Sequence, residues 1–84
     1  MPRYIDHHAK LPPMPPEAIQ QMRLNIWGAK IDEFGVKAIN AFMSTDGQGW
    51  CWTEGPNADA ICKSHQAHGI PLDKGDVHEV QSVA

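Results

Sequence analysis

Four of the chain's seven prolines fall between Lys10 and Pro16, and this tract limits the fold more than any other feature. Proline fixes φ and offers no backbone donor, so neither a helix interior nor a paired strand can run through it. The tract must therefore be an extended connector. Ahead of it, Arg3 to His8 reads as a strand, with Tyr4 and Ile5 supplying β propensity. Behind it, Pro15 or Pro16 can open a helix, with Glu17 well placed in the first turn.

Beyond the connector the apolar period changes. Ile19, Met22, Ile26 and Ala29 recur at helical spacing, with Leu24, Trp27 and Ile31 as an adjacent stripe, which predicts a long helix from Pro16 to Glu33. Gly28 weakens it and Gly35 stops it. Val36 to Ser44 and Trp50 to Glu54 read as strands joined by a hairpin turn at Asp46-Gly47. Asn57 caps a second helix, Ala58 to His68, which Gly69 ends. Asp76 to Val83 reads as a closing strand.

This order, βαββαβ, predicts a single α+β domain over residues 1–84 with a ferredoxin-like sandwich: an antiparallel sheet of order 4-1-3-2 with both helices on one face. The other face needs cover. Trp50 and Trp52 point opposite to Cys51, and alternation sets Val36, Ala38 and Phe42 opposite Ile39, Ala41 and Met43. Apolar groups on both faces of so small a sheet predict a homodimer.

Composition narrows the function classes. The net charge is −3 and the seven Lys and Arg are scattered. That excludes the clustered basic surface that nucleic acid requires. No apolar run approaches the roughly 20 residues of a membrane span, and no signal-peptide core is present, so a cytoplasmic location is expected. Cys51 and Cys62 lack CxxC spacing and read as free thiols, Cys51 as a small core residue rather than a ligand.

The chemistry concentrates in five histidines. In the expected topology the end of the first strand meets the beginnings of the third and fourth, and the second helix returns to the same end. His7, His8, His65, His68 and His78 then converge at one pole. Ala58, Ile61, Cys62 and His65 follow i, i+3, i+4, i+7 spacing, and His68 lies three residues further on. Strand alternation allows only one of His7 and His8 to face the helices. Neutral imidazoles suit borderline divalent ions, with a carboxylate or thiolate completing the shell. Asp6, Asp73 and Asp76 are near enough in sequence to serve as ligands or to orient them. Taken singly, each histidine is better read as surface or as a partner for terminal helix carbonyls. The case for a metal rests on their convergence.

The segments Tyr4-Ile5-Asp6-His7-His8, Phe34-Gly35-Val36, Trp50 to Ala60 with its Cys-x-x-Glu-small-Pro-x-Ala pattern, His65, His68-Gly69 and Val77-His78-Glu79-Val80 occur in one order along nearly the whole chain. In this the sequence resembles the small bacterial nickel-binding proteins, a family otherwise classed as a domain of unknown function. The resemblance implies a dimeric ferredoxin-like sandwich that binds Ni²⁺, whereas the imidazole cluster by itself suits Ni²⁺, Zn²⁺ or Cu²⁺. Carried over by position, His8 and His65 match best and His68 follows. Glu54 matches the signature, but topology sets it at the opposite pole. The proline tract and the doubled His7-His8 depart from the family pattern.

Three functions follow as expectations. The first is a metal-binding protein for sequestration or sensing, through His7, His8, His65, His68 and His78. The second is a small enzyme of the dimeric α/β-barrel type with His65 or His8 as general base, although no nucleophile–base–orienter pattern stands out. The third is a non-catalytic dimerisation module with solvated histidines.

Overall fold

A computed structural model describes all residues, 1–84. Its elements are β1 (Arg3–His8), α1 (Pro16–Trp27), β2 (Lys37–Met43), β3 (Gly49–Glu54), α2 (Ala58–Ala67), a 3₁₀ turn at Lys74–Asp76 and β4 (Val77–Val80). The four strands form one antiparallel sheet in the order β2-β3-β1-β4, the expected ferredoxin-like arrangement.

The register defines the two faces. Tyr4 pairs with Thr53, Asp6 with Cys51 and His8 with Gly49. Tyr4, Asp6 and His8 are buried while the residues between them are half-buried, so they share the helix-covered face. Ile5, His7, Trp50 and Trp52 turn to the open face. The expected phase of β2 is corrected by an irregularity between Ala38 and Asn40. It slips the alternation, so that Ala38 and Ala41 share the face of Thr53 and Cys51, while Phe42 lies opposite Trp50.

The first helix is shorter than its periodicity predicts. It ends at Trp27, with Gly28 as cap and Ala29 at φ 50. The chain then turns around Asp32, whose Oδ1 accepts from the amides of Phe34 and Val36. Asp32 Oδ2 also accepts from the Ser64 hydroxyl on α2. That side-chain-anchored loop competes successfully with helix continuation. The closing strand is likewise shorter, four residues at Val77–Val80.

The core lies between α2 and the centre of the sheet: Tyr4, Val36, Ala60, Ile61, Cys62 and Leu72. Asn57 caps α2, its side chain accepting from the Ala60 amide at 2.8 Å. Close approach of helix to sheet depends on Gly55, where a Cβ would meet Ile61 Cδ1 at 2.9 Å and Val36 Cγ2 at 3.2 Å. This packing sets the height of α2, and hence of His65, above β1.

Candidate metal centre

Three donors come from the sheet. Asp6 and His8 are two residues apart on β1, so both project toward the helices, and Cys51 projects beside them from β3 opposite Asp6. The fourth, His65, comes down from the buried face of α2. One ligand atom from each of Asp6, His8, Cys51 and His65 lies within 4.8 Å of every other. Asp6 is 0% exposed, His8 5% and His65 7%.

The orientation of the polar atoms matters as much as their proximity. His8 Nε2 is 2.6 Å from Asp6 Oδ1 and His65 Nε2 is 3.5 Å from Asp6 Oδ2. Both carboxylate oxygens are fully buried, with these imidazole nitrogens as their nearest ring partners. Cys51 Sγ stands 3.8 Å from His8 Nε2. The two imidazole rings are 5.2 Å apart, inclined by 32°.

His65 Nδ1 lies 2.8 Å from the Ile61 carbonyl, one helical turn back. The Nδ1–H donates there, which turns the Nε2 edge of the ring toward Asp6. Fixing one ring nitrogen by a backbone carbonyl is how a metal-ligating histidine is held in the correct tautomer. The Cys51 thiol is pushed up to about 12, first by burial and then by the charge of Asp6 and its contact with that carboxylate. Without a cation it stays protonated at neutral pH.

A carboxylate removed from water needs hydrogen bonds or a positive charge nearby to offset the lost solvation. Carboxylate oxygens and imidazole nitrogens converge here, with a thiol at their side. The donor set matches what borderline divalent ions accept: imidazole nitrogen, carboxylate oxygen and sulfur.

Of the five histidines, the structure brings together His8 and His65. Strand alternation turns His7 to the open face, where it stacks on Trp50 at 5.2 Å and meets Gln48 Oε1 at 2.9 Å. His78 pairs with Ile5 across β1 and β4, on that same open face, and is exposed. His68 is exposed and folds back on the end of α2, with Nδ1 2.7 Å from the Ser64 carbonyl. Glu54 pairs with Arg3 at the far end of β1, at 3.5 Å.

Sequence reasoning set Cys51 aside as a core residue and gave Asp6 only an auxiliary place. The signal for both lay in the alternation. Asp6 shares the parity of His8, and an antiparallel register that sets His8 against Gly49 places Cys51 against Asp6.

Fold and site together define the class: a ferredoxin-like α+β domain with a buried Asp–His–Cys–His group between its second helix and its central strands. The crystal structure of SCO4226 from Streptomyces coelicolor A3(2) is similar, with a TM-score of 0.69 and 25% sequence identity, over 98% of this chain and 99% of that one. No family model and no curated relative matches the chain. No helix is long and apolar enough to cross a membrane.

Proposed function

We propose that this chain is a metal-binding protein that sequesters or senses a borderline divalent cation through Asp6, His8, Cys51 and His65. One observation carries the reading: two imidazole nitrogens and a thiol gather around a wholly buried carboxylate, with one ligand atom of each of the four residues within 4.8 Å of every other. A cation among the four donors would accept the lone pairs and balance the charge of Asp6.

The sequence resemblance supports Ni²⁺, and the imidazole-rich donor set supports Ni²⁺, Zn²⁺ and Cu²⁺ alike. The chain's part is to hold these donors in a dry layer between helix and sheet, with His65 oriented by the Ile61 carbonyl. Calorimetric titration of metal-free, tag-free protein tests the proposal. One saturable site is expected, lost when His8 and His65 are both replaced by Gln. No saturable heat with any of the three ions overturns it.

A homodimer is part of the same proposal. Support comes from Ile5, Phe42, Trp50 and Trp52 on the open sheet face, with Phe42 54% exposed. A second copy covering that face would bury aromatic surface that a lone domain leaves to water. Solution mass measured by light scattering tests it, and Phe42→Lys is expected to shift the protein to monomer.

A further inference from the structure

The four donors are not equally shut away from solvent. Resting on the metal-binding reading, we infer that the proline connector is a strap across the Cys51 side of the site, with Leu11 as its latch, and that release of this latch sets how fast a divalent ion enters and leaves.

Burial gives the direction of access. Asp6 is 0% exposed, His8 5% and His65 7%, whereas Cys51 is the half-buried member of the group. Beside Cys51 lies a slot of ≈ 20 Å³, open to solvent at its mouth. A space of that size admits about one water. A divalent ion in solution carries several waters, so it cannot pass until a wall of the slot moves.

The walls differ in what holds them. Met22 belongs to α1 and Met43 to β2, and both backbones are fixed by regular hydrogen bonding. Ile70, just beyond α2, is tied back by its amide to the His65 carbonyl at 2.9 Å. Leu11 and Met14 come from the connector, which has no such ladder. Between residues 9 and 14 the one backbone hydrogen bond runs from the Leu11 amide to the Gly47 carbonyl, at 2.8 Å. Pro12 and Pro13 have no N–H to add to it.

The second hold is a side-chain contact. Leu11 rests on Gly49, where a Cβ would come within 2.5 Å of Leu11 Cδ1 and 2.9 Å of Cγ. Gly49 pairs with His8 and lies two residues before Cys51 on β3. Leu11 therefore covers the helix-facing side of the strand next to two of the donors. Gly49 has no positive φ, so its missing side chain serves the approach of Leu11 rather than the backbone. One hydrogen bond and one apolar contact make this the wall that opens at least cost. The prolines stiffen the segment, so it lifts as a piece. Leu11 is not a ligand, and its release speeds entry and exit alike.

Two measurements test the strap, one of them without metal. In a Cys62→Ser background Cys51 is the one thiol, and its alkylation by iodoacetamide reports opening of the slot. Leu11→Ala should speed this labelling about tenfold, with the folded circular-dichroism spectrum kept. Leu11→Met should restore the parent rate. Gly49→Ala, which leaves Leu11 intact but displaces its side chain, should also speed labelling. In the second measurement Ni²⁺ is loaded and then withdrawn by excess chelator in stopped flow. Leu11→Ala should accelerate uptake and release by the same factor, leaving the dissociation constant unchanged. Equal labelling and equal ion exchange in parent and Leu11→Ala proteins overturn the strap while the metal-binding reading stands. Faster labelling with unchanged ion exchange also overturns it, because the ion then enters elsewhere. No uptake of Ni²⁺, Zn²⁺ or Cu²⁺ by the parent protein overturns both.

Discussion

The two helices cover the same sheet in opposite ways. The second contributes five buried residues, Ala60, Ile61, Cys62, Ser64 and His65, whereas the first contributes none. Between α2 and the sheet lie Ile61 and Asp6, the two largest side chains removed completely from solvent, one apolar and one a carboxyl. Beneath α1 is a groove of ≈ 300 Å³ lined by Ile19, Met22, Ile26, Ala41 and Met43, with Trp27 73% exposed beside it. Both helices have adequate apolar stripes, so hydrophobic periodicity does not explain the contrast. The difference is the seat. Gly55 lets α2 descend onto the sheet and Ser64 is tied to Asp32, while α1 hangs between the proline connector and the edge strand β2. The well-seated half holds the polar group, as a site with fixed donor geometry requires.

The contrast can be tested by mutation. The largest expected effect is at its tight end: Ile61→Ala should cost about 3 kcal/mol in denaturant unfolding, against about 1 kcal/mol or less for Ile26→Ala. Equal losses would remove the distinction between the halves. Next, free Zn²⁺ at 100 times its dissociation constant should raise stability by about 2.7 kcal/mol, and chelation should reverse it. The His65→Gln protein should not respond.

Asp6→Asn removes the charge that would balance a bound cation, so metal uptake should be lost, with calorimetric titration as the readout. Unchanged uptake would mean that Asp6 is not part of the site. Asn57→Ala should cost about 1 kcal/mol by removing the cap of α2, seen as a lower thermal midpoint.

The smallest effect is one of pH. Burial alone would push the Asp32 carboxyl up, but the Ser64 hydroxyl and the Val36 and Phe34 amides together outweigh it and hold the group below its usual value of 3.8. The stability this supplies is fully present above that value and is lost as pH falls through the lower folded-state value. Acid titration of Asp32→Asn should therefore show a flatter decline below pH 3.8 than the parent protein.

Much of this architecture was legible in the residues. The proline tract, the Asp46-Gly47 turn and the Asn57 and Gly69 boundaries suffice for the βαββαβ order, because each has a local backbone cause. The strand order followed from connection rules, and with it the convergence of His8 and His65. Three features depended on contacts invisible in sequence. The end of α1 is decided by Asp32 reaching Ser64, thirty-two positions away. The phase of β2 is decided by a bulge that no residue type announces. The donor set is decided by cross-strand register, which makes Asp6 and Cys51 neighbours and carries His7 and His78 to the other face.

The most direct test is a crystal of protein loaded with Zn²⁺, with diffraction recorded on both sides of the zinc absorption edge. The account predicts a single anomalous peak per chain, enclosed by Asp6, His8, Cys51 and His65. A peak on the open face at His7 or His78, or none in a crystal grown with excess ion, would contradict it.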